Sequence, residues 1–151
     1  MTTAAPTPTV HRAIGQLQRL AELFGKRRAQ LARGVGLTEQ QWRVLEEIAT
    51  ERFMPSMFAR DRRSSAAAVS RIVRQLLDKQ LVSVSVARDD GRQRRYVLTA
   101  KGRRTLATLR THRSRAIEAV WLQLDPKALE AFTRFSGELI ARLEAVAARH
   151  E

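Results

Sequence analysis

The hydrophobic pattern of residues 55–102 changes its period twice, and this change restricts the fold more than any other feature of the chain. Across residues 65–79 the apolar positions recur at the 3.6-residue spacing of a helix that buries one side. The β-branched alternation of residues 81–86 then predicts a strand, residues 88–93 have turn chemistry, and residues 94–98 predict the returning strand. We therefore expect a helix, a two-stranded ribbon and the start of another helix.

The side of the first of these helices that lies opposite its apolar stripe carries small and basic residues. At 100° per residue, this side groups Ser64, Ala67, Ser70, Arg71 and Arg74. Small residues allow close approach to another surface, and serine and arginine supply donors for phosphates and base edges. Such a helix followed by a basic hairpin is the layout of a winged helix-turn-helix, so the sequence predicts a DNA-binding protein.

The net charge of +13, from 28 basic and 15 acidic residues, is concentrated on the same part of the chain. Residues 60–104 hold 13 basic and 4 acidic residues, a net of +9, and the other residues hold a net of +4. A local excess of this kind is expected of a surface that binds a polyanion. A merely solvated basic face is the alternative, but the overlap with the predicted helix and hairpin favours nucleic acid.

Composition argues against several other classes of protein. The 151 residues are 44% hydrophobic, which suits one cored domain, and contain no apolar run of eighteen residues that could span a membrane. The sequence has no cysteine and no secretory pattern at its N-terminus, so we expect a cytoplasmic protein without disulfides or a thiol switch. Because no nucleophile–base constellation, metal-ligand spacing or phosphate-binding glycine loop is present, we expect no catalytic residue, no metal, no cofactor and no enzyme activity.

The helices predicted at the two chain ends carry long apolar seams. Residues 1–9 are expected to be disordered, and a helix then runs from about Val10 to Arg33 with apolar residues at three- and four-residue steps. The last helix, which begins at Asp125-Pro126, has apolar positions in a heptad. A reading head of about fifty residues cannot bury both seams, which favours a homodimer over the alternative, a monomeric six-helix bundle.

Local signals mark the starts of the inner helices. They are Thr38 with Gln41 as its capping-box partner, Pro55, Ser65, and Thr99 at the start of a helix that runs to about Gln123. We expect Trp42 and Trp121 to lie in the core. Met54 and Met57 are expected to fill gaps beside the third helix, although a role in sensing oxidants is the alternative.

Three groups of residues occur in an order that resembles the MarR family of bacterial transcriptional regulators. They are Leu37–Leu45, Ala66–Val73, and Asp90-x-Arg92 followed by Leu98-Thr99 and Lys101-Gly102. The resemblance extends from about Val10 to Glu151. It implies a mainly α fold with a small β-wing, in which residues 37–104 form a winged helix-turn-helix domain. Residues 10–34 and 105–151 would form a helical dimerisation region.

The resemblance also implies a homodimer that binds double-stranded DNA with two-fold symmetry. The recognition helix would enter the major groove, Arg92 of the wing would approach the adjacent minor groove, and Asp90 would help to hold the shape of the wing. The expected operator is pseudo-palindromic, with half-site centres about one helical turn apart. The residues expected at the DNA are Arg62, Arg63, Ser64, Ser65, Ala66, Ala67, Ser70, Arg71, Arg74, Arg88, Asp90, Arg92, Arg94 and Arg95.

One turn departs from the family, because Arg62-Arg63-Ser64 replaces its usual apolar-Gly-apolar sequence. An arginine cannot fill the small pocket that a leucine fills there, so either the turn is repacked or the third helix sits differently. The basic residues could themselves reach phosphates. This turn would also suit the alternative function, a winged-helix protein-interaction module without sequence-specific DNA reading.

Members of the family commonly sense a small, often aromatic anion in the crevice between the dimer part and the reading head. The resemblance therefore implies a repressor that such a ligand releases from DNA. Arg19 or Arg43 could receive the carboxylate of the ligand, and a surface ion pair is the alternative use of each. The sequence does not identify further ligand-binding residues.

Overall fold

The computed structural model of the chain describes residues 6–62, 64–86 and 94–149. These residues form six α-helices, one 3-10 turn and one two-stranded antiparallel sheet. In chain order the elements are α1 (Thr7–Arg33), α2 (Glu39–Ala49), α3 (Pro55–Asp61), α4 (Ala66–Asp78), β1 (Val82–Val86), β2 (Arg94–Leu98), α5 (Ala100–Val120), the 3-10 turn (Trp121–Gln123) and α6 (Pro126–Ala147). The predicted mainly α fold with a small β-ribbon is confirmed.

Helix α1 begins earlier than the sequence suggested. Residues 7–9, which we expected to be disordered, are helical, and Pro8 is accommodated because the first N–H groups of a helix have no intrahelical acceptor. The helix ends before Gly34, as predicted. Gly36 then adopts a φ of 76°, and the N–H of Leu37 donates to the carbonyl of Ala32 at 2.9 Å.

The predicted helix caps are confirmed. The Thr38 hydroxyl accepts from the backbone N–H of Gln41 at 3.1 Å, and the Gln41 side chain accepts from the backbone N–H of Thr38 at 3.1 Å. Ser65 Oγ accepts from the N–H of Ala68 at 3.1 Å, and Thr99 Oγ1 accepts from the N–H of Gly102 at 3.0 Å. Each bond satisfies a donor that the first turn of a helix leaves unpaired.

The chain divides into two compact units, one that ends at Thr111 and one that spans residues 112–151. The core of the first unit lies between α2, α4, the start of β1 and the first half of α5. Its most deeply buried side chains are Val44, Leu45, Ile48, Val69, Leu76, Leu106 and Leu109, together with Trp42 as predicted. This core determines which side of α4 remains in solvent.

The sheet pairs Val82 with Leu98 and Val84 with Tyr96 in antiparallel register. Thr99 lies between β2 and α5, and Leu81 directly precedes β1. The backbone N–H of Thr99 donates to the carbonyl of Leu81 at 3.0 Å and so connects the start of α5 to the sheet. The two strands occupy the predicted segments, whereas the predicted turn at residues 88–93 lies outside the described residues.

The second unit consists of the later part of α5, the 3-10 turn and α6. Helix α5 ends at Val120, so the predicted end near Gln123 falls in the 3-10 turn. Trp121 is only partly buried, which corrects its predicted place in the core. None of the described helices is long and apolar enough to cross a membrane.

Large apolar side chains of the chain-end helices remain in solvent in a single copy. On α1 they are Val10, Ile14, Leu17, Leu20, Leu23 and Phe24, and on α6 they are Phe132, Phe135, Ile140, Leu143 and Val146. Met54 and Met57 are also about half exposed, so the expectation that they fill gaps in the packing is wrong.

Candidate nucleic-acid interface

One face of α4, together with the two residues before it, carries seven of the predicted DNA-binding residues. All seven are exposed, while Val69, Val73 and Leu76 on the opposite side are buried. The exposed residues are Ser64, Ser65, Ala66, Ala67, Ser70, Arg71 and Arg74. The hydrophobic stripe faces the core, and the small and basic face therefore points to solvent.

The two arginines of this face, Arg71 and Arg74, are exposed to solvent. Within the described part of the structure, neither Arg71 nor Arg74 has a hydrogen bond or an ion pair. An anion can therefore bind them without first displacing a carboxylate. Guanidinium groups bind phosphates and the edge of guanine through paired N–H donors.

The turn before α4 holds Arg62 at its start. The guanidinium lies 5.7 Å from the ring centroid of Phe58 and 3.9 Å from a carboxylate oxygen of Glu47. The backbone N–H of Ser64 donates to the carbonyl of Ala59 at 2.8 Å and closes the turn. Arg63 lies outside the described residues.

A small cavity lies beside the turn that precedes α4. It has a volume of about 160 Å³ and lies between α2, α3 and α4, and Phe58, Arg62, Ser64, Val69 and Ile72 contribute to its lining. Arg62 lies over the ring of Phe58 at the edge of this cavity, and its side chain is about half exposed.

The predicted arginines of the hairpin are only partly described. Arg94 and Arg95 are exposed on β2, and Arg95 contacts Glu51 at 3.4 Å. Successive strand residues point to opposite faces of a sheet, so these two arginines cannot serve the same surface equally. The predicted wing residues Arg88, Asp90 and Arg92 lie outside the described residues.

A buried amide fixes the position of α4 against α2. The Gln41 side chain is 4% exposed, and its amide N–H donates to the Gln75 side chain at 2.8 Å. Its oxygen also accepts from the ammonium of Lys79 at 3.1 Å. Sequence reasoning recognised only the capping role of Gln41. Its place one helical turn before Leu45, within the buried stripe, is the signal that could have indicated a partner on another helix.

The Lys101-Gly102 pair of the wing signature has a structural role. Lys101 Nζ donates to the carbonyl of Lys79 at 2.9 Å, next to the end of α4. A Cβ on Gly102 would lie inside the contact distance of the Leu81 carbonyl oxygen and 3.0 Å from its carbonyl carbon. The two residues thus hold the start of α5 against the residues that connect α4 to β1.

The two arginines considered as carboxylate receptors are both in ion pairs. Arg19 contacts Glu22 at 3.2 Å and Arg43 contacts Glu39 at 2.8 Å, as the surface-pair alternative predicts. Glu39 also accepts from Arg28 at 2.9 Å. Burial by itself raises the pKa of Glu39, but the hydrogen bonds and charges of the two arginines outweigh it and lower the pKa below its ordinary value.

Comparisons with known proteins agree with this geometry. The sequence profile of the MarR family matches residues 35–93, from the residues before α2 into the predicted wing. The predicted resemblance to the MarR family is confirmed. No curated protein matches the sequence.

Solved structures of MarR regulators match both units of the chain. A crystal structure of a MarR family transcription regulator matches with a TM-score of 0.83 at 16% identity, over 93% of this chain and 94% of that one. MarR of Staphylococcus aureus in complex with salicylate and kanamycin matches with a TM-score of 0.77 at 14% identity, over 92% of this chain and 95% of that one. The MepR–DNA complex of the same organism matches with a TM-score of 0.68 at 15% identity, over 85% of this chain and 94% of that one. The chain therefore has the fold of MarR transcription regulators.

Proposed function

We propose that the chain is a homodimeric repressor that binds double-stranded DNA through α4 and the wing. The exposed face of α4 is the observation that supports this function best, because its small residues permit close approach and its two arginines have no partner among the described residues. A helix of this kind fits the major groove of B-DNA. The relative with the same fold that was solved with DNA, MepR, adds support.

We assign roles to the side chains from the exposed face of α4 and from the resemblance to the family. Arg71 and Arg74 are the candidates for base edges or phosphates, and the serines at the start of α4 are candidates for phosphates. Arg92 would approach the minor groove. Phosphates would be bound by Arg62, Arg63, Arg88, Arg94 and Arg95. Most of these contacts are electrostatic, so the affinity for DNA should fall steeply as the salt concentration rises.

The exposed apolar faces of α1 and α6 support the homodimer. A protein that leaves this many large apolar side chains half exposed has a surface suited to association. A second copy would cover them and set two α4 helices at a fixed separation, so the operator should be a pseudo-palindrome with half-sites about one helical turn apart. The residue ranges 10–34 and 105–151 remain our proposal for the dimerisation region.

We further infer that a small aromatic anion releases the repressor from DNA. The solved complex of a relative with salicylate supports this class of ligand. A repressor with this role would act in the cytoplasm, beside the DNA.

Binding to the upstream region of the protein's own gene, compared with random DNA at physiological salt, tests the function. We expect specific binding, and we expect Arg71→Ala to weaken it about tenfold or more, since a good base contact contributes about 1–3 kcal/mol. Arg52→Ala is the matched control, because Arg52 is also an exposed arginine of the first unit but lies between α2 and α3, outside the predicted DNA-binding residues. Equal affinity of the Arg71 variant and the unchanged protein would remove Arg71 from the site.

The wing is tested by Arg92→Ala, which should weaken operator binding while the dimer stays folded in analytical ultracentrifugation. Weak, salt-labile binding to both specific and random DNA would instead favour the protein-interaction module. A monomer in solution would contradict the homodimer.

A further inference from the structure

A cavity of about 370 Å³ opens beside α3, on residues 47–62 of the first unit. It is lined by the end of α2, the connection to α3 and one side of α3. This volume lies at the lower end of the range of about 300–1,000 Å³ that is typical of small-molecule sites. The cavity is separate from the exposed face of α4, and its lining comes from one unit of the chain.

One wall of the cavity is apolar and aromatic. The rings of Phe53 and Phe58 meet edge to face, with their centroids 5.7 Å apart. The thioethers of Met54 and Met57 stand beside them, and these two side chains are about half exposed. Thioethers and aromatic edges both pack well on a flat ring, so this wall suits a planar aromatic molecule.

The protein already places a planar cation on this wall. The guanidinium of Arg62 lies over the ring of Phe58 and within 3.9 Å of the Glu47 carboxylate. An aromatic face and a carboxylate together form the environment that selects a delocalised cation. The side chains of Arg62 and Glu47 are 48% and 42% exposed, so water and solutes can reach the pair.

We propose that the cavity binds a planar aromatic cation, which displaces the Arg62 guanidinium and takes its place between Phe58 and Glu47. Once Arg62 has moved away, the charged groups of the lining are Glu47, Asp61 and Arg52, a net charge of −1. Such a rim attracts a cation and repels an aromatic carboxylate. The ligand class is thus opposite in charge to the anion of the proposed function, and the site does not depend on DNA binding.

Three small probes of nearly equal size separate charge from shape. They are 1-methylquinolinium as the cation, quinoline at pH 8 as the neutral analogue, and 1-naphthoate as the anion. We expect the cation alone to shift the ¹³C-methyl signals of Met54 and Met57 saturably in the NMR spectrum of the full chain without DNA. Variants Met54→Leu and Met57→Leu assign the two signals. Absence of a shift at millimolar cation, or an equal response to naphthoate, would overturn the proposal.

Two variants then test the displacement of Arg62. Arg62→Ala should bind the cation about threefold more tightly, because it removes a competing internal cation, and Glu47→Gln should bind it about three- to tenfold more weakly. Glu51→Gln is the matched control, since Glu51 is also paired with an arginine, at 3.4 Å from Arg95, but does not line the cavity. Circular dichroism confirms the fold of each variant. A loss of affinity for the cation in Arg62→Ala would show that Arg62 does not compete with the cation, and it would refute the proposal.

Discussion

Replacement of Gly102 by alanine is a sensitive test of the packing that supports the hairpin. Gly102 is buried at the start of α5, and an added Cβ would come too close to the carbonyl group of Leu81. The obstacle is backbone, and the same carbonyl accepts the N–H of Thr99 at 3.0 Å. No rotamer change can relieve the contact, so α5 must move away from the residue that precedes β1.

The size of the effect follows from three contributions. A displacement of about 1 Å in a close-packed region costs about 1–3 kcal/mol, and weakening the bond between Thr99 and Leu81 costs about 1 kcal/mol more. Alanine recovers about 1 kcal/mol relative to glycine inside a helix. We therefore expect Gly102→Ala to lower the free energy of unfolding by about 2 kcal/mol and the Tm by about 4–8 °C.

Thermal unfolding followed by circular dichroism measures this difference, and Gly25→Ala supplies the matched control. Gly25 lies within α1, and a Cβ there would meet no atom within 4 Å. The same substitution should therefore stabilise the protein slightly at Gly25 and destabilise it at Gly102. A Gly102 variant with an unchanged or higher Tm would refute the argument from close approach.

Three further substitutions test other contacts. Ser65→Ala removes the cap of α4 and should cost about 1 kcal/mol in a urea titration, and an unchanged midpoint would show that the cap contributes nothing. Gln41→Leu should cost about 1 kcal/mol in the same titration because it removes the hydrogen bond to Gln75, so a gain in stability would contradict the bridge to Gln75. The lowered pKa of Glu39 means that its contribution to stability is present above its ordinary pKa of 4.5 and is lost as the pH falls through the lower folded value. Glu39→Gln should lower the Tm at pH 7, and its difference from the unchanged protein should shrink as the pH falls below 4.5, whereas parallel curves of Tm against pH would exclude this role.

The parts of the fold that were predictable depend on short stretches of chain. The cap pairs at Thr38 and Ser65 involve residues three positions apart, and the exposed face of α4 follows from the helical repeat alone. The switch to a two-residue alternation before Val82 likewise marks the hairpin locally. Each of these features depends on residues a few positions apart in the sequence, so it can be predicted without knowing which distant residues pack against it.

The predictions that were wrong required knowledge of neighbours. Met54 and Met57 have the composition of core residues but lie at the opening of a cavity, because the core is already filled by α2, α4 and α5. Trp121 has the composition of a core residue but is only partly buried in a single copy. Hydrophobic character shows that a side chain favours burial but does not show which surface covers it.

The amino-acid sequence by itself determined the order of helices and strands, the caps, the basic segment and the small, arginine-bearing face of α4. The tertiary structure alone decided that Gln41 bridges to Gln75, that Gly102 meets Leu81, and that Arg62 turns outward over Phe58. The physical reason is the range of the interactions. Helical periodicity and capping act between residues a few positions apart, whereas packing joins residues that are distant in the chain and close only once it has folded.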